Sequence, residues 1–296
     1  MDVVNHYRII INPNAGTRRS AKRKQRILEV LESKLSRQNV EICRTEGPGH
    51  ATQLAAEAAA MGTPTVVAVG GDGTINEVGK GLKGTQSQLG IIPDGSGNGF
   101  ARHFRIPLKM EKAIKVLTSG TTIQIDTLTL NDHFFLNLAG AGFDAEVAHH
   151  FAGMSTRGLK TYIRSSFQCF RSFRGLFCEV ECNGERIEDT FFLVSYANAS
   201  EYGNGAKIAP QAKPDDGEFE VCMLKRFPWY AVPGIAWRMF RGNLDTSSFI
   251  SYVRTKNVKV HFNAPQLIHL DGEPRPAIQD LQISICPSSL KLIVPH

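Results

Sequence analysis

The sequence has no apolar run approaching the roughly 20 residues that a bilayer span needs. Its first residues, Met1-Asp2-Val3-Val4-Asn5-His6, lack the basic and apolar regions of a signal peptide. The expected location is therefore cytoplasmic, with room for peripheral contact at the inner face of the membrane. The six cysteines (43, 169, 178, 182, 222 and 286) include no CxxC pair, which argues against a zinc site or a disulfide framework and for reduced thiols packed as small apolar groups. No recognised nucleic-acid-binding signature accompanies the basic residues, so nucleic acid is not an expected partner.

What is present describes a folded protein. Hydrophobic residues make up 42% and charged residues 21% of 296, a globular balance over a length that favours two domains. The net charge of +6 is uneven: Arg18, Arg19, Lys22, Arg23, Lys24 and Arg26 crowd one segment, and Arg157, Lys160, Arg164, Arg171 and Arg174 another. Both read either as solvated helix faces or as attraction for anionic headgroups or nucleotide phosphates.

The most informative stretch runs from Val66 to Glu77, Val-Val-Ala-Val-Gly-Gly-Asp-Gly-Thr-Ile-Asn-Glu. Its valine-rich start reads as a buried strand, and the glycines that stop it let the backbone turn where side chains would block a ligand. Thr74 is expected to cap a helix through Glu77, Val78 and Leu82, aiming free amides and the positive end of a helix dipole at one spot. Such a turn suits phosphate. Asp72 would repel a bare phosphate, so it reads as a group that holds a cation or accepts a proton from the attacking group. An ordinary strand-to-helix turn is the plainer alternative.

Around it, strand and helix alternate. Tyr7 to Ile11, Val40 to Cys43, Thr65 to Val69 and Leu89 to Ile92 read as strands; 20–38, Ala51 to Met61, the segment after Thr74 and Met110 to Leu117 read as helices. The alternation predicts a mostly parallel sheet with helices on both faces and ligands beyond the carboxyl ends of its strands. Asn12-Pro13-Asn14-Ala15-Gly16 and Pro93 to Arg102 fall at those ends. In the latter, Ser96 and Asn98 alternate with glycines and Arg102 is placed to reach a phosphate, so it reads as the opposite wall of a nucleotide site.

From about Asp126 the pattern becomes antiparallel β, with strands at Thr127 to Leu130, His133 to Leu138, Phe177 to Cys182, Thr190 to Tyr196, Glu218 to Leu224, Val258 to Phe262, Gln266 to Leu270, Leu281 to Cys286 and Leu290 to Val294. Two helices interrupt it. One, near Leu159 to Phe173, carries Tyr162, Ile163, Phe167, Phe170 and Phe173; the other carries Trp229, Tyr230, Trp237, Met239 and Phe240. Aromatic stripes at this spacing usually belong to a core, with bilayer docking or acyl-chain binding as the alternative. Asp215-Asp216-Gly217-Glu218 and Asp271-Gly272-Glu273 read either as hairpin turns or as the oxygen-rich clusters that magnesium needs.

In this order the motifs Asn12 to Gly16, Gly49-His50-Ala51, Gly70 to Glu77, Pro93 to Arg102, Pro214 to Gly217 and Asp271 to Glu273 resemble the diacylglycerol kinase catalytic-domain family of lipid kinases, related to sphingosine and ceramide kinases and more distantly to NAD kinases. The resemblance implies an α/β plus β fold, with a Rossmann-like nucleotide domain over 1–126, completed by 288–296, and a C-terminal β-sandwich over 127–287. It implies phosphate transfer from ATP, with Mg2+, to the hydroxyl of a lipid substrate in a cleft between the domains. A homodimer is compatible with it. By position, Asn12, Pro13, Asn14, Ala15, Gly16, Thr45, Gly70, Gly71, Asp72, Gly73, Thr74, Ile75, Asn76 and Ser96 form the ATP-binding set. Lys213, Asp216 and Glu218 match the residues that hold a structural magnesium in the soluble bacterial enzymes. Glu273 matches their general base, whereas sphingosine and NAD kinases give that role to the residue matching Asp72; Asp271 joins these two as a catalytic candidate. One departure is Gly99, where many bacterial diacylglycerol kinases carry an aspartate of the catalytic-magnesium network; Gly-Ser-Gly-Asn-Gly looks more like sphingosine and ceramide kinases. The leading expectation is a diacylglycerol kinase, the next a kinase of a sphingoid base, ceramide or a soluble metabolite, and the third a nucleotide-binding regulator without catalysis.

Overall fold

Two compact units make up the chain, Met1–Ile125 with Ser288–His296 and Asp126–Pro287. The computed structural model of the protein describes residues 7–15, 25, 27, 29–31, 33, 40–152, 166, 168–170 and 172–296. Gly16, the basic residues from Arg18 to Arg26, Arg157, Lys160, Arg164 and Arg171, and the stripe members Tyr162, Ile163 and Phe167 lie outside the described residues.

In the first unit β1 (Tyr7–Ile11), β2 (Val40–Arg44), β3 (Thr65–Gly70) and β4 (Gln88–Pro93) form a parallel sheet in the order β2-β1-β3-β4. Lys291 and Leu292 pair in parallel with Gln88 and Leu89. Every residue of β1 and β3 is buried, as parallel strands covered on both faces require. The helices are α1 (His50–Ala60), α2 (Asp72–Leu82), α3 (Gly99–His103) and α4 (Met110–Ser119). Ile9, Ile11, Val67, Val69 and Ile92 pack against Ile114 and Leu117 of α4 and against Ile27 and Leu31, two helical positions within 20–38.

Helix α2 begins three residues earlier than expected. Its N-cap is Gly71 and its first residue Asp72, so Thr74 is not the cap but a buried residue inside the first turn.

β5 (Thr121–Leu130) carries the chain into the second unit, which begins at Asp126. The reason is local: the Asp126 N–H donates to Pro214 O at 2.6 Å and its carboxylate accepts from the Gly217 N–H at 2.7 Å. There follow β6 (His133–Phe135), β7 (Leu138–Gly142), α5 (Phe143–Ala152), β8 (Leu176–Cys182), β9 (Glu185–Ala197), β10 (Glu201–Gly203), β11 (Ala206–Lys207), β12 (Phe219–Lys225), a 3₁₀ turn at Trp229–Ala231, α6 (Val232–Arg241), β13 (Ile250–Thr255), β14 (Asn257–Leu270) and β15 (Glu273–Val294). Pairing within the second unit is antiparallel. The long strands β9 and β14 change partners along their length: β9 meets β8 first and β7 and β12 later, and β14 meets β8 at Lys259–Phe262 and β7 at Ile268–Leu270. A strand that changes partner in this way passes from one packed layer to another. The core holds Phe135, Phe191, Tyr196, Phe219 and Phe262, all essentially fully buried.

The two aromatic stripes part company here. Phe170 and Phe173, partly buried, pack against Phe143 and Phe192 at the edge of the second unit's core. The other stripe is divided: Met239 packs on the core, whereas Trp229, Tyr230, Trp237 and Phe240 are 78%, 71%, 55% and 57% exposed.

Candidate functional site

At the carboxyl ends of β1, β3 and β4 the expected phosphate-binding residues of the first unit meet. Asn12 Nδ2 donates to Thr74 Oγ1 at 3.2 Å, while Asn12 Oδ1 accepts from the Asn14 N–H at 2.8 Å and folds the Asn12–Ala15 turn. Thr45 is buried, its N–H donating to Ile11 O. The two glycine-rich turns touch rather than face each other across a gap. A Cβ on Gly95 would sit 2.5 Å from Gly71 Cα and 2.8 Å from Asn98 Oδ1, whereas one on Gly71 would lie 3.2 Å from Gly95 Cα, so the approach needs glycine at 95.

Asp72 locks the contact. Its Oδ2 accepts from the Gly99 N–H at 3.2 Å and its Oδ1 from the Phe100 N–H at 3.1 Å, which also places a carboxylate at the start of α3. Gly99, where an aspartate was the family alternative, thus contributes its backbone N–H to Asp72. Asn98 closes the turn on itself through Gly95 N and O, both at 2.9 Å. Arg102 is held over the same loop by Gly97 O at 3.1 Å. No side chain caps α2; its first amides and the dipole they sum to are what binds a phosphate group at a helix start. Ser96 is exposed on the loop, whereas Ile75 is fully buried with its N–H given to Gly71 O at 3.1 Å, so Ile75 serves packing.

The last motif residue, Glu77, was not among the expected site residues. Its two carboxylate oxygens accept from the Gly49 N–H at 2.9 Å and the Ala51 N–H at 3.1 Å, capping α1 from a neighbouring helix. The Gly49-His50-Ala51 motif is thereby tied to the Gly70–Glu77 stretch.

In the second unit Asp271-Gly272 forms the two-residue turn between β14 and β15, with φ of 51° and 81° and Leu270 paired to Glu273. Two positive φ angles are what a type I′ hairpin demands. The Asp271 carboxylate accepts three backbone N–H groups, Leu136 at 2.9 Å, Asn137 at 2.8 Å and Leu138 at 2.9 Å. These bonds hold the bend that splits the expected His133–Leu138 strand into β6 and β7. Glu273 by contrast keeps a side chain that is 55% exposed, with Arg275 Nη2 at 3.4 Å.

Beneath the hairpin lies a buried polar cluster. Asp144 Oδ2 accepts from Ser195 Oγ at 2.7 Å and Tyr202 OH at 2.9 Å, and His269 Nε2 lies 3.1 Å away. The Gly272 N–H reaches His269 Nδ1 at 3.4 Å; with Nδ1 accepting, Nε2 carries the proton that goes to Asp144. A titratable residue inside an apolar strand run such as Leu267-Ile268-His269-Leu270 was the signal that sequence reading passed over.

The expected magnesium ligands are arranged otherwise. Asp216 Oδ1 accepts from the Glu218 N–H at 3.2 Å, and its Oδ2 meets Arg254 Nη2 at 2.5 Å; Glu218 Oε2 lies 3.1 Å from the same nitrogen. A guanidinium therefore partners the Asp216 carboxylate, the one side-chain ligand expected here beside the backbone oxygens of Lys213 and Glu218. Among the described residues no group of three or more His, Cys, Asp or Glu is arranged to hold a metal ion. Beside this cluster burial pushes the Glu220 carboxyl up to about 7, with Arg254 pulling it down and Asp216 and Asp245 adding to the rise.

Comparison with known proteins agrees with this layout. Residues 6–130 match the family described as "Diacylglycerol kinase catalytic domain", and residues 137–294 match "YegS C-terminal NAD kinase beta sandwich-like domain". The chain is 30% identical over 271 residues to a diacylglycerol kinase of Bacillus subtilis, covering 90% of this chain and 89% of the relative. It is 28% identical over 272 residues to a diacylglycerol kinase of Staphylococcus saprophyticus, covering 90% and 88%. A solved diacylglycerol kinase structure from Bacillus anthracis superposes with a TM-score of 0.77 over 98% of this chain and 97% of that one, at 21% identity, which speaks to fold alone. A glycine-rich strand-to-helix turn on a parallel α/β unit, an Asp-Gly-Glu hairpin on a sandwich-like β unit and these matches make the chain a member of the diacylglycerol kinase catalytic-domain family of lipid kinases.

Proposed function

We propose that this member is an ATP- and magnesium-dependent kinase that phosphorylates the hydroxyl of diacylglycerol or a similar neutral lipid. The observation that carries the reading is the start of α2, where no side chain caps the helix and Asp72 draws the Gly95–Phe100 turn against it. In this reading the first unit is a Rossmann-like nucleotide domain. Backbone amides around Gly71–Thr74 bind the phosphates, and Asn12, through its bond to Thr74, sets the height of the neighbouring loop. Bound Mg2+ and ATP supply a transferable phosphoryl group whose charge is partly neutralised. Glu273, on its exposed hairpin, takes the acceptor's proton late in the step; phosphoryl transfer asks mainly for alignment and charge neutralisation. Asp72 and Asp271, whose oxygens accept two and three backbone N–H groups, act as positioning residues.

Gly99 keeps a second reading in play, transfer to a sphingoid base or ceramide, because it lacks the carboxylate of many bacterial diacylglycerol kinases. Incubation of the purified protein with labelled ATP and a panel of diacylglycerol, sphingoid base and ceramide decides between them. Label in phosphatidic acid, lost in Glu273→Gln, is the expected result. Label only in a sphingoid-base product would sink the diacylglycerol assignment, and nucleotide binding without transfer to any acceptor would sink the kinase reading.

A further inference from the structure

Helix α6 is apolar on two opposite sides. Ala231, Ile235 and Met239, spaced four apart, face the second unit's core. At about 100° per residue, Trp237 and Phe240 lie roughly 200° and 140° around the helix from Ile235, on the far side. Both are more than half exposed, and Trp229 and Tyr230 of the preceding 3₁₀ turn are more exposed still. Four large aromatic rings held in water on a short segment mark an interaction surface.

Its charge narrows the partner. From Lys225 to Leu244 the sequence holds Lys225, Arg226, Arg238 and Arg241 and no Asp or Glu. Arg241 lies over the Trp237 ring, 5.5 Å from its centroid, so one cation accompanies the aromatic face. Arg238 is anchored by Thr246 Oγ1 at 3.3 Å and Gly234 O at 3.4 Å. Asp189 is paired with Lys225 at 2.6 Å, and Asp245, the first acid after the segment, accepts from Gln211 at 3.2 Å. Tryptophan and tyrosine are apolar rings with a polar edge, suited to the depth of lipid headgroups, and arginine beside them suits anionic headgroups.

We propose that Trp229, Tyr230, Trp237 and Phe240, with Arg226, Arg238 and Arg241, form a docking surface for an anionic bilayer. This deepens the lipid-kinase reading, since an acceptor embedded in a membrane is reached from its surface. The other segment expected to touch the membrane, around Lys160 to Phe173, lies largely outside the described residues.

The chain offers its own probe, because Trp229 and Trp237 are its two tryptophans. Their emission, read as phosphatidylcholine vesicles doped with phosphatidylglycerol are added without nucleotide or acceptor, reports this face whether or not the protein is a kinase. A blue shift with anionic vesicles, weaker with pure phosphatidylcholine, is expected, together with co-sedimentation. The Trp229→Ala/Trp237→Ala variant should lose about tenfold or more of vesicle affinity by sedimentation, with its thermal unfolding nearly unchanged because both rings are exposed. Absence of shift and sedimentation, or undiminished binding by the double variant, overturns the proposal. A dimer that the double variant dissociates, with no vesicle binding, would make a second copy the occupant and overturn it too. Vesicle binding without transfer in the acceptor panel would instead remove the kinase reading and leave the surface.

Discussion

Asp271→Asn and Glu273→Gln, two isosteric changes in one motif, are expected to separate fold from chemistry. Asn is among the favoured residues at positive φ in a type I′ turn, so Asp271→Asn leaves the backbone alone and changes only what the side chain offers. With Oδ1 kept toward Asn137 and Leu138, the new NH2 points at the Leu136 N–H, which Oδ2 now accepts at 2.9 Å. One charge-assisted bond is replaced by a donor against a donor, and two are weakened to neutral bonds. Bonds to charged groups are worth about 1.5–3 kcal/mol and neutral ones about 1, so the net cost comes to about 2–4 kcal/mol. Glu273 is 55% exposed and 3.4 Å from an Arg275 side chain that is itself 40% exposed; such surface pairs contribute about 0–1 kcal/mol. Urea unfolding followed by far-ultraviolet circular dichroism should therefore show Asp271→Asn clearly destabilised and Glu273→Gln near the parent. Phosphate transfer, measured at a temperature where both variants are folded, should survive in Asp271→Asn and vanish in Glu273→Gln. An Asp271→Asn protein as stable as the parent but inactive would refute the assignment of Asp271 to the backbone.

Three further outcomes follow from the same structure. Gly95→Ala puts a Cβ 2.5 Å from Gly71 Cα, so the turns must separate, at about 1–3 kcal/mol of stability; calorimetry should show weaker binding of an ATP analogue, and unchanged affinity would mean the contact does not shape the site. Arg254→Ala leaves Asp216 and Glu218 without the guanidinium that joins them; a chelator should not move the parent's melting temperature, whereas the variant should melt lower and regain part of the loss with added magnesium. Burial pushes the Cys178 thiol up to about 12 and Cys222 well above the ordinary range, so at about pH 8 both stay protonated, and peptide mapping should find them alkylated only after denaturation.

Much of the first unit was legible because its signals are local. Valine-rich runs ended by glycine, with amphipathic segments between, specify a parallel α/β sheet from nearest neighbours alone. The misplaced cap of α2 shows the limit: Thr74 is a better cap by propensity than glycine, but its hydroxyl is held by Asn12, 62 residues away. The second unit was less legible. The lone His133–Leu138 run gave no hint that Asp271 would take the amides at its middle, and α5, whose Phe143-Asp144-Ala145-Glu146 start follows a strand directly, has little helical periodicity to announce it. The α6 stripe was misjudged for a different reason. Spacing reveals that apolar residues share a helix face, not whether that face meets a core; here Ile235 occupies the core side and the larger rings the other.

The motif carboxylates show why a family pattern locates a site more readily than it assigns roles. Asp72 holds Gly99 and Phe100, Glu77 holds Gly49 and Ala51, and Asp271 holds Leu136 to Leu138, in every case through backbone N–H groups. Any residue but proline offers an N–H, so the partner of such an acid leaves no mark on its own position in the sequence. The acid itself is not interchangeable, because only a carboxylate accepts two or three donors at once with charge assistance. A motif aspartate is then as well explained by a turn that must not move as by a proton that must. Glu273 differs in its exposure: its side chain is 55% exposed, with Oε2 3.4 Å from Arg275 Nη2, on a hairpin whose shape Asp271 and Gly272 already fix. An exposed carboxylate can change partners during a reaction, and it is on that ground that we propose Glu273 for the proton.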